Sequence, residues 1–222
     1  MRSTKYAHFL DPLKNWTSMS FIILPNVNKL WVKGISLSLY SKSWDPINQE
    51  QEFTELGKLV REFKYSKYLK PQRGLDITKI FADEVQNILK LSEKQDSHEF
   101  NSLVAIPSNR ANANSLPKAV VDELSTRFNW LKNDSKYLVK NYEIEVIKNL
   151  PIDQRAEKLR GAYSTKPDYD LEHLTGFLVI DDVYQSGATL KEVCRALKRA
   201  NPDVPRYVLT MTHLRSTWDQ DR

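Results

Sequence analysis

Hydrophobic residues change their spacing several times along this chain, and each change marks an element. Phe21 to Leu24 and Leu30 to Tyr40 read as strands. In the second, Ile35, Leu37 and Leu39 alternate with Ser36, Ser38 and Tyr40, the period of two expected of a half-buried strand. Phe53, Leu56, Val60 and Phe63 then recur at helical spacing. After a break from Pro71 to Gly74, Ile77, Phe81, Val85 and Ile88 fall on one face of a second helix, and two such amphipathic helices are expected to pack on a sheet.

From residue 102 the order is strand, helix, strand. Leu103 to Ile106 predicts a strand, Ser115 caps a helix that turns Leu116, Val120 and Leu124 inward, and Tyr137 to Val139 predicts the returning strand of a βαβ unit. Residues 141–175 are polar, hold Pro151 and Pro167, and interrupt the alternation, so they predict an insertion over one face. The order resumes with strand Phe177 to Asp181, helix Gly187 to Ala200 and strand Arg206 to Thr210. Together these elements predict an α/β fold with a mainly parallel sheet flanked by helices. A small β-rich part over 1–50 precedes a main domain over 51–222, which carries the insertion at about 141–175.

Composition narrows this picture modestly. At 222 residues the chain has room for one domain with a sizeable core, and therefore for one active centre. Its single cysteine, Cys194, rules out an internal disulfide and a cysteine-based zinc site. Cys194 shares an apolar helical face with Leu190, Val193 and Leu197, which predicts a core residue rather than a nucleophile. His8, His98, His173 and His213 lack metal-ligand spacing. No run of 18 apolar residues occurs, and the first thirty residues hold no apolar core of signal-peptide length, so a cytoplasmic protein without a membrane partner is expected. The net charge of +5 is spread among 28 acidic residues and suits a phosphorylated ligand, a nucleic acid or a solvated surface equally.

The segment that carries chemistry runs from Phe177 to Leu190. A fully apolar run, Phe177-Leu178-Val179-Ile180, ends in Asp181 and Asp182, and the loop Val183-Tyr184-Gln185-Ser186 then opens a helix at Gly187-Ala188-Thr189. Ligands of open α/β sheets bind outside the carboxyl ends of the strands, where both acids fall. Backbone N–H groups from Ser186 to Thr189 lie at a helix start that favours phosphate. Gly187 permits close approach of the backbone, and Ser186 and Thr189 add hydroxyl donors.

This segment resembles the signature of type I phosphoribosyltransferases, which bind 5-phosphoribosyl 1-pyrophosphate (PRPP). The resemblance implies that Asp181 and Asp182 hold the ribose hydroxyls and that Gln185, Ser186, Gly187, Ala188 and Thr189 cradle the 5-phosphate. Gln185 stands where the family has threonine. Upstream, Ile106-Pro107-Ser108-Asn109-Arg110 occupies the place of the family's pyrophosphate loop, which implies that Ser108, Asn109 and Arg110 contact pyrophosphate, with Mg²⁺ carried by PRPP. Two further stretches, Leu59 to Tyr65 and Arg155 to Tyr163, resemble the competence-associated ComF group, the second matching its Gly-Ala-Phe hood segment as Gly161-Ala162-Tyr163. The chain departs from that group in lacking the four-cysteine zinc knuckle, in placing Ala-Asn-Ala-Asn after the pyrophosphate loop, and in carrying Lys158 where the hood has asparagine.

Two functions of different class follow. The resemblance implies a transferase that displaces pyrophosphate from PRPP with a nucleobase acceptor, with Asp181 and Asp182 as its catalytic acids and with Lys148, Arg155, Lys158 and Arg160 in the insertion near the leaving group. The alternative is a PRPP-binding regulator or a helper in DNA uptake, with Lys64, Tyr65, Lys67, Tyr68 and Lys70 against single-stranded DNA; Tyr and Lys at that spacing are more often an ordinary amphipathic helix end. A receiver-like domain fits poorly, since its acids lie near the chain start.

Overall fold

The computed structural model describes residues 21–26, 29–45, 50–66, 68–93, 99–108, 115–142 and 150–214. At their centre stands a six-stranded sheet in the order β1 (Ile22–Ile23), β2 (Lys33–Leu39), β10 (Arg206–His213), β9 (Phe177–Tyr184), β5 (Ser102–Ala105) and β6 (Lys132–Asn133). β1 runs antiparallel to β2, and every other neighbouring pair is parallel. Two small antiparallel ladders lie apart from it: β3 (Ser41–Asp45) with β4 (Glu50–Phe53), and β7 (Leu138–Lys140) with β8 (Tyr163–Thr165).

The central strand is apolar on both faces because both faces are covered. Leu178 and Ile180 join Leu103, Ala105, Leu209 and Met211 in a core beneath helices α1 (Glu55–Tyr65), α2 (Pro71–Leu89) and α3 (Leu116–Arg127). Phe177 and Val179 join Val104 and Val208 in a second core on the opposite face. There they meet α5 (Ala188–Ala200) and the buried Leu159, Ala162 and Tyr163 of the insertion. The insertion also holds the short helix α4 (Ile152–Lys158). The molecule is thus α/β, with a mixed, mostly parallel sheet flanked by helices.

Several local expectations are corrected. The strand placed at Tyr137 to Val139 does not close the βαβ unit, because β6 does so five residues earlier. The chain turns out of the sheet where the Asp134 N–H bonds the Leu103 carbonyl and the Tyr137 N–H bonds that of Asp134. Ser135–Tyr137 then form a tight 3-10 turn, and Leu138–Lys140 pair with β8. Phe53 belongs to β4 rather than to the first helix, since Thr54 caps that helix by accepting the Gly57 N–H at 3.0 Å. Of the early strands, β2 lies inside the main sheet, paired with β10 from Lys33↔Tyr207 to Leu39↔His213. β9 runs past Asp181 to Tyr184, held by pairing with β10 through His213.

One close approach sets the height of α1 over the sheet. A Cβ on Gly57 would lie 1.9 Å from the Tyr40 carbonyl oxygen, so only glycine lets the helix pack there. That contact carries Lys64, at the far end of α1, to the rim where β9 ends.

Candidate functional site

Asp181 and Asp182 are consecutive on β9, so their side chains leave opposite faces of the sheet. Asp182 shares the side of Leu178 and Ile180, and its Oδ2 accepts from Lys64 Nζ at 2.7 Å. The pair is partly shielded, with side-chain exposures of 37% for Lys64 and 22% for Asp182. Burial works to lower the Lys64 pKa, yet the charge of Asp182 and the hydrogen bond to it outweigh this and raise it. The Asp182 carbonyl accepts from Thr212 Oγ1 at 3.2 Å, which ties the acid's backbone to β10.

Asp181 shares the other side, that of Phe177 and Val179. One carboxyl oxygen accepts the Asp182 backbone N–H at 2.9 Å. Its pKa is raised to about 7, first by burial and then by the charge of Asp182; the backbone hydrogen bond and Lys64 oppose the rise. The residue keeps partial contact with solvent, but protein crowds it closely enough for lost hydration to dominate. At neutral pH the two acids therefore differ: Asp182 has a cation of its own, and Asp181 sits near its midpoint.

Directly after the acids, the chain turns into α5 through Gly187, whose φ is 67°. A Cβ there would meet the Tyr184 hydroxyl at 2.7 Å in addition to the left-handed strain. No side chain caps this helix in the usual way. Among the described residues, the side-chain contact to its first turn is the long one from the Ala188 N–H to Ser186 Oγ at 3.4 Å. Gln185 is exposed, Ser186 and Thr189 are half-buried, and Gly187 and Ala188 are buried. The first-turn N–H groups of α5 thus lie beside two carboxyls at the end of a central parallel strand.

Ser108 follows β5 and is exposed; two residues before it, the Ile106 N–H bonds the Ile180 carbonyl at 3.0 Å. This brings the start of the expected pyrophosphate loop next to Asp181. Asn109 and Arg110 lie outside the described residues, as does Lys148. Of the insertion's other cations, Arg155 bonds the Leu150 carbonyl through Nε at 2.7 Å, and Lys158 and Arg160 are exposed. Cys194 is fully buried in the second core, with its thiol pushed up to about 12 by burial, as a core residue should be.

No protein-family model matches this chain, and no curated protein does. The chemistry of the site accordingly rests on its own residues. Among those that sequence reasoning did not assign to it, Lys64 is the clearest, since nothing in local spacing links a helix end to an acid 118 residues away. Its only sequence signal is the apolar-Lys-Tyr ending of α1. Tyr163 is the second, a buried phenol on the Asp181 side of the sheet.

Proposed function

We propose that this chain is a phosphoribosyltransferase-like protein that binds PRPP with Mg²⁺ at the carboxyl end of β9. The observation that carries the reading is the continuous run from an acid pair on a central parallel strand into a glycine-opened helix start without a side-chain cap. Asp181 and Asp182 take the ribose hydroxyls, and the backbone from Gln185 to Thr189 takes the 5-phosphate. Ser108, with Asn109 and Arg110 after it, receives pyrophosphate. A sugar phosphate suits such a site because the acids recognise hydroxyls while the helix start recognises the anion.

The oxygen donors of the acid pair suit a hard cation such as Mg²⁺. In this reading Mg²⁺ arrives with PRPP, and it would supply charge neutralisation of the leaving group. The chain's residues hold the sugar still while the C1–oxygen bond to pyrophosphate breaks and a bond from C1 to a base nitrogen forms. The Asp182 carboxylate stabilises positive charge developing on ribose, and the hydrogen bond from Lys64 Nζ holds that carboxylate in place.

A second reading is a PRPP-binding regulator or DNA-processing helper without transfer. It is favoured by Tyr68, 90% exposed, which offers a ring face for base stacking on single-stranded DNA. Lys64 is withdrawn from that surface by Asp182. An assay of pyrophosphate release from PRPP and Mg²⁺ across candidate bases separates the two. Release with one base supports transfer, binding without release supports the regulator, and no binding contradicts both.

A further inference from the structure

The insertion presses one side chain into the second core, on the Asp181 side of the sheet, and that side chain is not purely apolar. Tyr163, on β8, is 1% exposed, and its hydroxyl has no hydrogen-bond partner among the described residues. A buried hydroxyl left unpaired costs stability that phenylalanine at the same place would not. The position is held firmly: the buried Glu192 of α5 accepts the Gly161 N–H at 2.8 Å, two residues before Tyr163.

Tyr163 and Asp181 lie on one side of the sheet. Asp181 extends from β9 on the side of Phe177 and Val179, and Tyr163 packs in the same core. After burial itself, the charge of Asp181 is the next largest influence raising the Tyr163 pKa, so the phenol stays protonated and is a donor at neutral pH. Beside Asp181 on β10, the fully buried Thr210 hydroxyl also lacks a partner among the described residues. An ionised carboxylate can only accept, whereas a sugar hydroxyl can donate to it and still accept on its own oxygen.

We propose that Tyr163 is a specificity-determining residue whose phenol donates to the same ribose hydroxyl that donates to Asp181, making the site selective for ribose over a deoxyribose lacking that hydroxyl. The inference rests on the sugar-phosphate reading above and deepens it. A hydroxyl gripped from both sides is discriminated far more sharply than one seated in an apolar pocket, because its removal strands two buried polar groups. The phenol's retention at a cost to folding follows, since its partner arrives with the ligand.

The test compares wild type with Tyr163→Phe, which keeps the ring and its packing. Titrations use ribose 5-phosphate, its 2-deoxy and 3-deoxy analogues, and PRPP with Mg²⁺, alongside thermal melts. The expected result is an affinity for ribose 5-phosphate about tenfold weaker in the variant, lost preference over one of the two deoxy analogues, and a melting temperature equal to or above wild type. Equal affinity and discrimination in both proteins overturn the role of Tyr163 while PRPP binding upholds the site. A variant that melts lower overturns it too, by showing that the hydroxyl is satisfied within the protein. If neither protein binds PRPP, the site reading itself fails and takes this inference with it.

Discussion

Asp181 and Asp182 are chemically identical neighbours made different by what lies above and below the sheet. Asp182 meets Lys64, while Asp181 meets packed protein and the charge of Asp182. The consequence is a pH dependence of stability with a definite sign. Asp181 holds its proton up to about pH 7 in the folded chain, against an ordinary value of 3.8. Between those values the folded state binds more protons than the unfolded state, so this group's contribution to stability falls as pH rises from about 4 to about 7. Asp181→Asn removes that penalty. At pH 8 the variant should be more stable by about 1–3 kcal/mol, a few degrees in Tm, after allowing for the solvent that reaches the carboxyl. The gain should shrink toward pH 4, and parallel melting curves across that range would contradict the account.

At the scale of elements, the site is made by the junction of β9 and α5, and Gly187 is the residue on which that junction turns. Its φ of 67° and the Tyr184 hydroxyl, 2.7 Å from where a Cβ would stand, exclude a side chain. Gly187→Ala should cost about 1–2 kcal/mol, from left-handed strain and displacement of the Tyr184 ring, and should weaken phosphate binding at the same time. Urea denaturation with a phosphate titration checks both; an unchanged midpoint with unchanged affinity would show that the turn is not built as described. This junction was legible in the sequence because its parts are local: an apolar run, two acids, a polar loop and a glycine within fourteen residues. The return of the βαβ unit was not. Tyr137 and Leu138 are as apolar as a sheet strand requires, but they are buried by the second core and a separate ladder, and a pattern of apolar residues does not say which layer covers them.

For the whole molecule, strand order is the part that local pattern could not reveal. β2 and β10 lie at opposite ends of the chain yet pair along nearly their full length, and such pairing leaves only alternation in each strand as its trace. The alternation of Ile35 and Leu37 with Ser36 and Ser38 gave β2 its strand character but not its neighbour. Among the described residues, no helix is long and apolar enough to cross a membrane. Because Ile35 and Leu37 belong to the first core and β2 covers the edge of β10, a fragment of residues 51–222 should fail to fold as a monomer, exposing a parallel edge prone to aggregation. Circular dichroism and size-exclusion chromatography of that fragment test this, and a cooperative, monomeric fold would contradict it.

The central claim is that the end of β9 and the start of α5 form a sugar-phosphate site. Its most direct measurement is calorimetric titration of the full chain with PRPP, with and without Mg²⁺, beside the double variant Asp181→Asn, Asp182→Asn. The account predicts Mg²⁺-dependent binding by wild type and at least a hundredfold loss in the variant, about 3 kcal/mol, with the fold retained. Binding of equal strength by both proteins, or none by the wild type, would contradict it.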